Sequence, residues 1–289
     1  MADTEALREC VLDTRDIPGG LALVAEAGWN QVEADWRIFL EQGRCFGVAG
    51  GAAGLVATAA TLPYGTEFGW ISMVLVRGTH RGRGIATRLL KRCIDSLSGS
   101  GATPVLDATP AGRRVYLALG FRDTWGLHRW HLPERDAWNP GDALRSEGVR
   151  ALRDDDWPQL CAQDREAFGA DRSALLSRLR RRCAAFAAAA ERDGRLAGYL
   201  LGREGRSATQ IGPVIADDQA TAIALVAHAL ARIGTPVYID AADRFSGLTE
   251  WLQRTGFKAQ RPFTRMVLGR DTAFGLPERI AAIAGPELG

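Results

Sequence analysis

The sequence predicts an α+β fold built twice, as two tandem domains that each contain a mixed, mostly antiparallel sheet flanked by helices. Three observations support this prediction. The chain has 289 residues, more than the ~100–200 usual for one domain. Short β-rich runs precede segments with helical periodicity. Several short motifs recur in the same order about halfway along the chain, which is typical of an internal repeat.

In the first copy, β-rich runs occupy residues 45–49, 54–62 and 69–76, the first two around a Gly-Gly-Ala-Ala turn. Apolar residues then recur at helical spacing over 85–97, with charged residues on the opposite side. The remaining elements of this copy are a strand at 104–108, a helix at 112–119 that ends at Gly120, and a closing strand at 124–132.

The second copy repeats this order. Runs at 184–191 and 196–202 flank an Arg-Asp-Gly turn, and residues 210–216 precede a helical stripe that extends to Ile233. The segment around Asp107 is echoed around Asp240, and each copy has a Gly-Phe pair whose glycine is followed nine positions later by an arginine. The glycines of these pairs are Gly120 and Gly256, and the arginines are Arg129 and Arg265.

Residues 133–147 contain two prolines, several charges and Gly141, which indicates a linker. We therefore predict domains at 1–134 and 148–289, joined by a linker at 135–147.

Composition excludes several classes of protein. With 46% hydrophobic and 24% charged residues, the chain is typical of soluble globular proteins. The net charge is 36 − 34 = +2, which does not favour a nucleic-acid or membrane-surface partner. The five cysteines lack metal-ligand spacing, so we predict no metal site and a reduced, cytoplasmic protein. No apolar signal core begins the sequence, and the uncharged stretch at 45–66 is interrupted by glycine and proline, which favours a hairpin over a membrane span.

The segment between Val76 and Ile85 combines two glycines with several arginines. Glycine leaves backbone N–H groups accessible, and the N-terminus of a helix adds partial positive charge. A pyrophosphate fits such a junction. The segment matches neither the Walker loop nor the dinucleotide-binding glycine pattern.

Arg81, Gly84 and Ala86 match the Q/R-x-x-G-x-G/A signature, and Tyr116 precedes Gly120-Phe121 as in a Tyr-x-x-x-Gly-Phe motif. On these residues the chain resembles the GNAT superfamily of acyl-CoA-dependent N-acyltransferases, closely over 7–132 and more loosely over 149–268. One departure is Gly78, where many members have proline.

The resemblance implies acetyl-CoA (coenzyme A) as cofactor, with its pyrophosphate on the loop amides and its pantetheine arm along the preceding strand. The implied cofactor-binding residues are Met73, Val74, Leu75, Val76, Arg81, Gly82, Arg83, Gly84, Ile85, Ala86 and Thr87.

For the reaction, the resemblance makes Tyr116 the proton donor to the departing thiolate. Glu67 is the first candidate for the base, directly or through water, although a solvated carboxylate at a strand end is an equal interpretation. His128 is a second candidate base. The acceptor site is expected at Trp29, Asn30 and Trp70, where aromatic rings can stack on an amine; Trp29 and Trp36 are also consistent with core packing.

The second copy departs from these motifs. Gln219, Ala222 and Ala224 replace the signature residues, Asp217-Asp218 precedes them, and Leu252 stands in place of Tyr116. Negative charge would disfavour an anionic cofactor there. The sequence thus resembles a tandem-GNAT subgroup with an intact first half and a degenerate second half that begins with a Phe-Gly-Ala-Asp-Arg stretch, here residues 168–172.

The expected function is acetyl-CoA-dependent N-acetylation of a small-molecule or amino-acid-like amine by a monomer or homodimer. The alternatives are a non-catalytic acyl-CoA sensor and a protein or peptide N-acetyltransferase. A nucleic-acid partner and a membrane partner are both disfavoured.

Overall fold

A computed structural model describes residues 7–51, 54–134 and 148–289, so the predicted linker at 135–147 lies outside the described residues. The chain divides into two compact units, Met1–Leu106 and Asp107–Gly289. The last helix and strand of the first repeat thus belong to the second unit, because that strand pairs with strands of the second repeat. The predicted domain boundaries remain predictions.

The first unit contains strands, helices and the start of one further strand. In chain order these are β1 (Leu7–Val11), α1 (Ile17–Glu26), α2 (Glu33–Gln42), β2 (Arg44–Gly50), β3 (Gly54–Tyr64), β4 (Phe68–Val76), α3 (Ile85–Ser98) and β5 (Thr103–Ala108), which ends in the second unit. Antiparallel pairing joins β1 to β2, β2 to β3 and β3 to β4, whereas β4 and β5 are parallel. Helix α3 buries its apolar stripe against β3 and β4.

Strands β4 and β5 diverge. They pair only at Phe68, Gly69 and Trp70 of β4, and β4 pairs with no other strand on that side within the described residues. The β3–β4 register shifts beyond Ser72, where Met73 adopts a φ of 52°. The C-terminal half of β4 therefore presents an open edge.

The second unit begins within β5. Its further elements are α4 (Pro110–Ala118), β6 (Phe121–Leu132), β7 (Val149–Ala151), α5 (Trp157–Phe168), α6 (Ser173–Arg182), β8 (Ala188–Arg192), β9 (Arg195–Arg203), β10 (Thr209–Ala216), α7 (Gln219–Leu230), β11 (Val237–Ala242), α8 (Ser246–Arg254), β12 (Lys258–Leu268) and β13 (Ile280–Ala282). The strands that follow β5 lie in the order β12-β6-β11-β13-β10-β9-β8-β7. Only β10 and β11 pair in parallel among the pairings of these strands in the described residues.

The two units confirm the predicted α+β class with mixed, mostly antiparallel sheets. Three predicted bounds were wrong. Residues 184–187 form a turn after α6, closed by the Phe186 and Ala187 N–H groups on the Cys183 carbonyl, so the strand starts at Ala188. Helix α7 ends at Leu230, short of Ile233. Strand β6 starts at Phe121 rather than at residue 124.

The repeated aspartates and arginines form exchanged ion pairs. Arg129 of the first repeat donates from Nε and Nη2 to Asp240 of the second repeat, at 2.8 Å each. Arg265 of the second repeat donates to Asp107 of the first repeat, at 3.0 Å each. Both carboxylates are 0% exposed. The aspartate and arginine that recur in each repeat of the sequence therefore correspond to two equivalent buried ion pairs.

No helix within the described residues is long and apolar enough to cross a membrane.

Candidate active site

The loop before α3 presents free backbone donors. Gly84 is the N-cap of α3 and, like Gly82, has a positive φ, 70° and 74° respectively. Having no side chain, Gly84 cannot cap the helix, so the first N–H groups of α3 stay available. Among the described residues, no protein acceptor takes the N–H of any residue from 82 to 87. Such donors, at the positive end of a helix, can bind an anion.

Arginine side chains fix the shape of this loop. Arg81 Nε donates to the Val76 carbonyl at 3.1 Å, and Arg83 Nη2 donates to the Thr79 carbonyl at 3.1 Å. Both side chains remain in an exposed segment. The loop therefore combines positive charge with backbone donors, as a multiply charged phosphate ligand requires.

The departure at Gly78 has a structural explanation. The Gly78 N–H donates to Glu26 Oε1 at 2.6 Å, a bond that proline cannot make. This contact ties the loop to the end of α1. Sequence reasoning missed Glu26, because a carboxylate at a helix C-terminus carries no signal for a partner 52 residues away.

The open edge of β4 adjoins this loop along the chain. Thr58 Oγ1 donates to the Met73 carbonyl at 2.8 Å, which holds the break in β4. Ser72 Oγ is buried and has no partner among the described residues. The predicted arm-binding residues 73–76 thus lie on a strand edge that can accept a further extended group.

The predicted acceptor residues differ in exposure. Trp29 is half-buried, and Asn30 is 4% exposed, in the loop between α1 and α2. Neighbouring Gln31 is also 4% exposed, and its Oε1 has no partner in the described chain. Trp36 and Trp70 are each 1% exposed, so Trp36 packs in the core and Trp70 presents almost no surface.

Glu67 lies in the turn before β4 and is exposed. Its carbonyl accepts a hydrogen bond from the Thr103 N–H at 3.1 Å. Met73 lies six positions further along the chain, about 20 Å along an extended strand. The structure therefore places Glu67 at the end of β4 opposite the loop.

Tyr116 belongs to the second unit, and its proximity to the loop remains a prediction. Its ring centroid lies 6.0 Å from that of Phe121. Burial raises the pKa of its hydroxyl, so the group stays protonated at neutral pH. A Cβ at Gly112 would lie 2.9 Å from Tyr116 Cε2, and the absence of one lets the ring fold back along α4.

His128 has a carboxylate partner. Its Nδ1 lies 2.6 Å from Asp243 Oδ1, and both side chains are part-exposed, 39% and 45%. A carboxylate on one ring nitrogen orients the imidazole and leaves the other nitrogen for proton transfer. Sequence reasoning missed Asp243, which follows β11. Within the described residues, no group of three His, Cys, Asp or Glu side chains could hold a metal ion.

The corresponding helix terminus of the second repeat is capped. Asp218 is the N-cap of α7 and accepts from the Thr221 N–H at 2.8 Å. Gln219 Oε1 accepts from the Leu248 N–H at 3.1 Å, and Leu252, which replaces the tyrosine, is 0% exposed. The chain's own carboxylate therefore occupies the position at which an anion would bind.

Comparison with known proteins identifies relatives of this chain in sequence and in fold. Sequence models of acetyltransferase (GNAT) families match residues 21–121 and 160–279. YitH of Bacillus subtilis, an uncharacterized N-acetyltransferase, is 26% identical over 247 residues, which cover 85% of this chain and 86% of that protein.

Solved structures share the fold. A Pyrococcus horikoshii protein named for a presumed acetyltransferase activity superposes with a TM-score of 0.80 at 22% identity, over 98% of this chain and 96% of that one. A tandem GNAT protein from the clavulanic acid biosynthesis pathway gives 0.64 at 15% identity, over 91% and 98%. The chain therefore belongs to the GNAT superfamily of acetyltransferases and carries two GNAT domains in tandem.

Proposed function

We propose that this protein transfers the acetyl group of acetyl-CoA to the amine of a small metabolite or amino-acid-like acceptor. The observation that carries the proposal is the row of backbone N–H groups over residues 82–87, which have no acceptor among the described residues and lie at the uncapped N-terminus of α3. This site suits a pyrophosphate in charge and hydrogen-bond polarity.

The residues present fit coenzyme A. The N–H groups of 82–87 would hold the pyrophosphate, Arg81 and Arg83 would add positive charge, and the edge of β4 at 73–76 would hold the arm. When bound, the cofactor supplies the acetyl group as a thioester. Since the arm carries amides, the open strand edge can hydrogen-bond to it as it would to a peptide.

Tyr116 holds the proton that the departing thiolate needs. Burial raises the pKa of its hydroxyl, so Oη carries its proton at neutral pH and can donate it as the C–S bond breaks. A positioned general acid of this kind contributes about 10²–10⁴-fold to a rate.

The base depends on the acceptor. A lysine-like amine with a pKa of ~10.4 is protonated at pH 7, and freeing it costs about 4.6 kcal/mol. An α-amine with a pKa near ~8 costs only about 1.4 kcal/mol. Glu67, in the turn before β4, and His128, oriented by Asp243, are the two candidates for accepting this proton.

The α1–α2 loop supplies the acceptor pocket in this proposal. Gln31 Oε1 is buried without a partner in the described chain, and such an oxygen favours a donor from a ligand. Trp29 adds aromatic surface, whereas Trp70, at 1% exposed, offers almost no surface to an acceptor. Free cysteines at all five positions support a reducing, cytoplasmic environment.

The test is a panel of small amines, amino acids and peptides incubated with acetyl-CoA, with free thiol measured and products identified by mass spectrometry. Amine-dependent thiol release with an acetylated small amine is expected. Calorimetric binding of acetyl-CoA without release on any amine would favour the sensor, and acetylation of peptides alone would favour the peptide enzyme. Absence of acetyl-CoA binding would exclude all three.

A further inference from the structure

The segment Ile280–Gly289, here named the strap, lies inside the cleft of the second repeat. Strand β13 at its start pairs antiparallel with β10, where Ala282 faces Val214, and with β11, where Ala282 faces Ala241. Beyond β13, the Ile283 N–H donates to the Asp240 carbonyl at 3.1 Å. Residues 280–284 are at most 2% exposed. The strap is therefore an integral strand between two parallel strands.

Among the described residues, no strand occupies the equivalent position in the first repeat. Strands β10 and β11 pair directly at only three residues of β10, Thr209, Gln210 and Ile211, just as β4 and β5 pair over three residues before they diverge. Both β4 and β10 also break their antiparallel register shortly after this point. The two clefts differ in their content, because the strap fills only the second.

The break in β10 is adapted to the strap. A Cβ at Gly212 would lie 1.9 Å from the Ile283 carbonyl oxygen, so no larger residue fits. The break in β4 carries Met73 instead. The second repeat thus has Gly212 at the break and a filled cleft, whereas the first repeat has Met73 at the break and a cleft that the strap does not fill.

Buried arginines hold the strap beyond β13. Arg203 donates to the Ala284 carbonyl and to Glu287, and both members of this ion pair are nearly inaccessible, 2% and 4% exposed. Arg172 donates to the Gly289 carbonyl at 2.5 Å and pairs with Asp164 at 2.9 Å. The strap thus has polar anchors as well as strand pairing.

The Phe-Gly-Ala-Asp-Arg stretch at 168–172 forms part of this anchorage. Its arginine contacts the strap directly, and the Arg172 guanidinium carbon lies 3.8 Å from the centroid of the Phe168 ring. A Cβ at Gly169 would lie 2.6 Å from the Gly275 nitrogen, so the motif also closes on the chain that leads into the strap. This placement gives the motif a physical role in seating that segment.

We propose that the strap is the resident ligand of the second repeat, occupying the cleft that in the first repeat receives the coenzyme A arm. The second repeat is then a peptide-filled cleft, and a chain binds one acyl-CoA. The Asp218 carboxylate at the N-terminus of α7 completes the substitution at the pyrophosphate position. This inference rests on the proposed function for the identity of the ligand in the first cleft.

Hydrogen–deuterium exchange of the full-length protein, with and without saturating acetyl-CoA, tests the two clefts separately. The amides of 280–284 are expected to be protected at least 100-fold in both conditions, and those of 82–87 to gain protection only with acetyl-CoA. A calorimetric titration should give one site per chain. Faster exchange of 280–284 on addition of acetyl-CoA, or two sites per chain, overturns the proposal. Unchanged exchange of 82–87 with a protected strap contradicts only the proposed function.

Two variants probe the anchorage. Glu287→Gln leaves Arg203 buried without its carboxylate, and Gly212→Ala places a methyl group against the Ile283 carbonyl. Each is expected to speed exchange of 280–284 at least tenfold while acetyl-CoA still protects 82–87. The matched control is Glu204→Gln, at an exposed ion pair with Arg182, which should leave the strap unchanged. Strap protection equal to wild type in both variants overturns the anchorage.

Discussion

At the residue scale, the position of Tyr116 depends on a glycine four residues earlier. The ring lies over Gly112, close enough that a Cβ there would meet Cε2 at 2.9 Å and the hydroxyl oxygen at 3.2 Å. Alanine would otherwise favour α4, since glycine within a helix costs about 0.5–1 kcal/mol. Gly112→Ala is therefore expected to stabilise α4 but to displace the Tyr116 ring.

Gly112→Ala is expected to keep or raise the unfolding temperature and to lower kcat about tenfold, because the ring must move.

Tyr116→Phe should lower kcat at least 100-fold with KM for acetyl-CoA unchanged, as removal of a general acid predicts. Steady-state kinetics on an accepted amine measures both. Leu117→Ala, at a neighbouring side chain that is 43% exposed, is the control. Wild-type kcat in Tyr116→Phe would contradict the proton-donor role.

At the element scale, the sequence predicted well where one local pattern dominates. The apolar stripe at 85–97 became α3, and the β-rich run at 69–76 became most of β4. It failed at 184–187, because an alanine-rich run has neither the period of a strand nor that of a helix. The insertion of β13 was also beyond prediction, since pairing between strands distant in sequence leaves no local pattern.

The residues of the candidate site also divide into those that the sequence could predict and those that it could not. The exposed N–H groups of the loop before α3 were predictable because glycines at a strand-to-helix junction have a direct backbone consequence; the binding of an anion there remains a prediction. Glu26 and Asp243 were not, because each acts through a partner more than 50 residues away. Exposure was also unpredictable: Trp29 and Trp70 are the same residue type in similar surroundings in sequence, yet one is half-buried and the other is core.

Gly84→Val is expected to raise the Kd for acetyl-CoA at least tenfold. A β-branched residue at a φ of 70° is strained by about 1–2 kcal/mol or more, and relief of that strain moves the donors of the loop. The control is Gly101→Val at the other end of α3, where φ is 83° and the surroundings are equally open. Calorimetry on both variants separates local strain from loss of the site, and an equal Kd in both would contradict the assignment.

At the scale of the whole molecule, the two repeats are tied by reciprocal ion pairs. Each buried carboxylate accepts two hydrogen bonds from one arginine, through Nε and Nη2. Gln210 Nε2 donates a further hydrogen bond to Asp240 at 3.0 Å. Burial raises the pKa of Asp107 despite the opposing effect of Arg265. Such pairs contribute little net stability when intact but are costly to break, because the remaining charge stays buried.

Asp240→Asn and Asp107→Asn are each expected to destabilise the protein by about 3–5 kcal/mol, which lowers the unfolding temperature by about 10 °C. Differential scanning calorimetry with chemical denaturation measures the effect. Glu166→Gln, which removes an exposed partner of Arg279, should change stability by less than about 1 kcal/mol. If Asp240→Asn and Asp107→Asn also lowered stability by less than about 1 kcal/mol, that result would show that water reaches Arg129 and Arg265.

The pairing between β6 and β12 has the symmetry of the internal repeat. When each residue is replaced by its counterpart in the other repeat, the same set of pairs results. Leu127 faces Phe263, Arg265 faces Trp125, and Arg261 faces Arg129, so each pair maps onto itself or onto another pair of the same ladder. Because successive side chains of a strand alternate between faces, a slip of β6 by one residue would turn Arg129 away from Asp240, and a slip of β12 would turn Arg265 away from Asp107. Each of the two strands is thus held in register by its own buried ion pair.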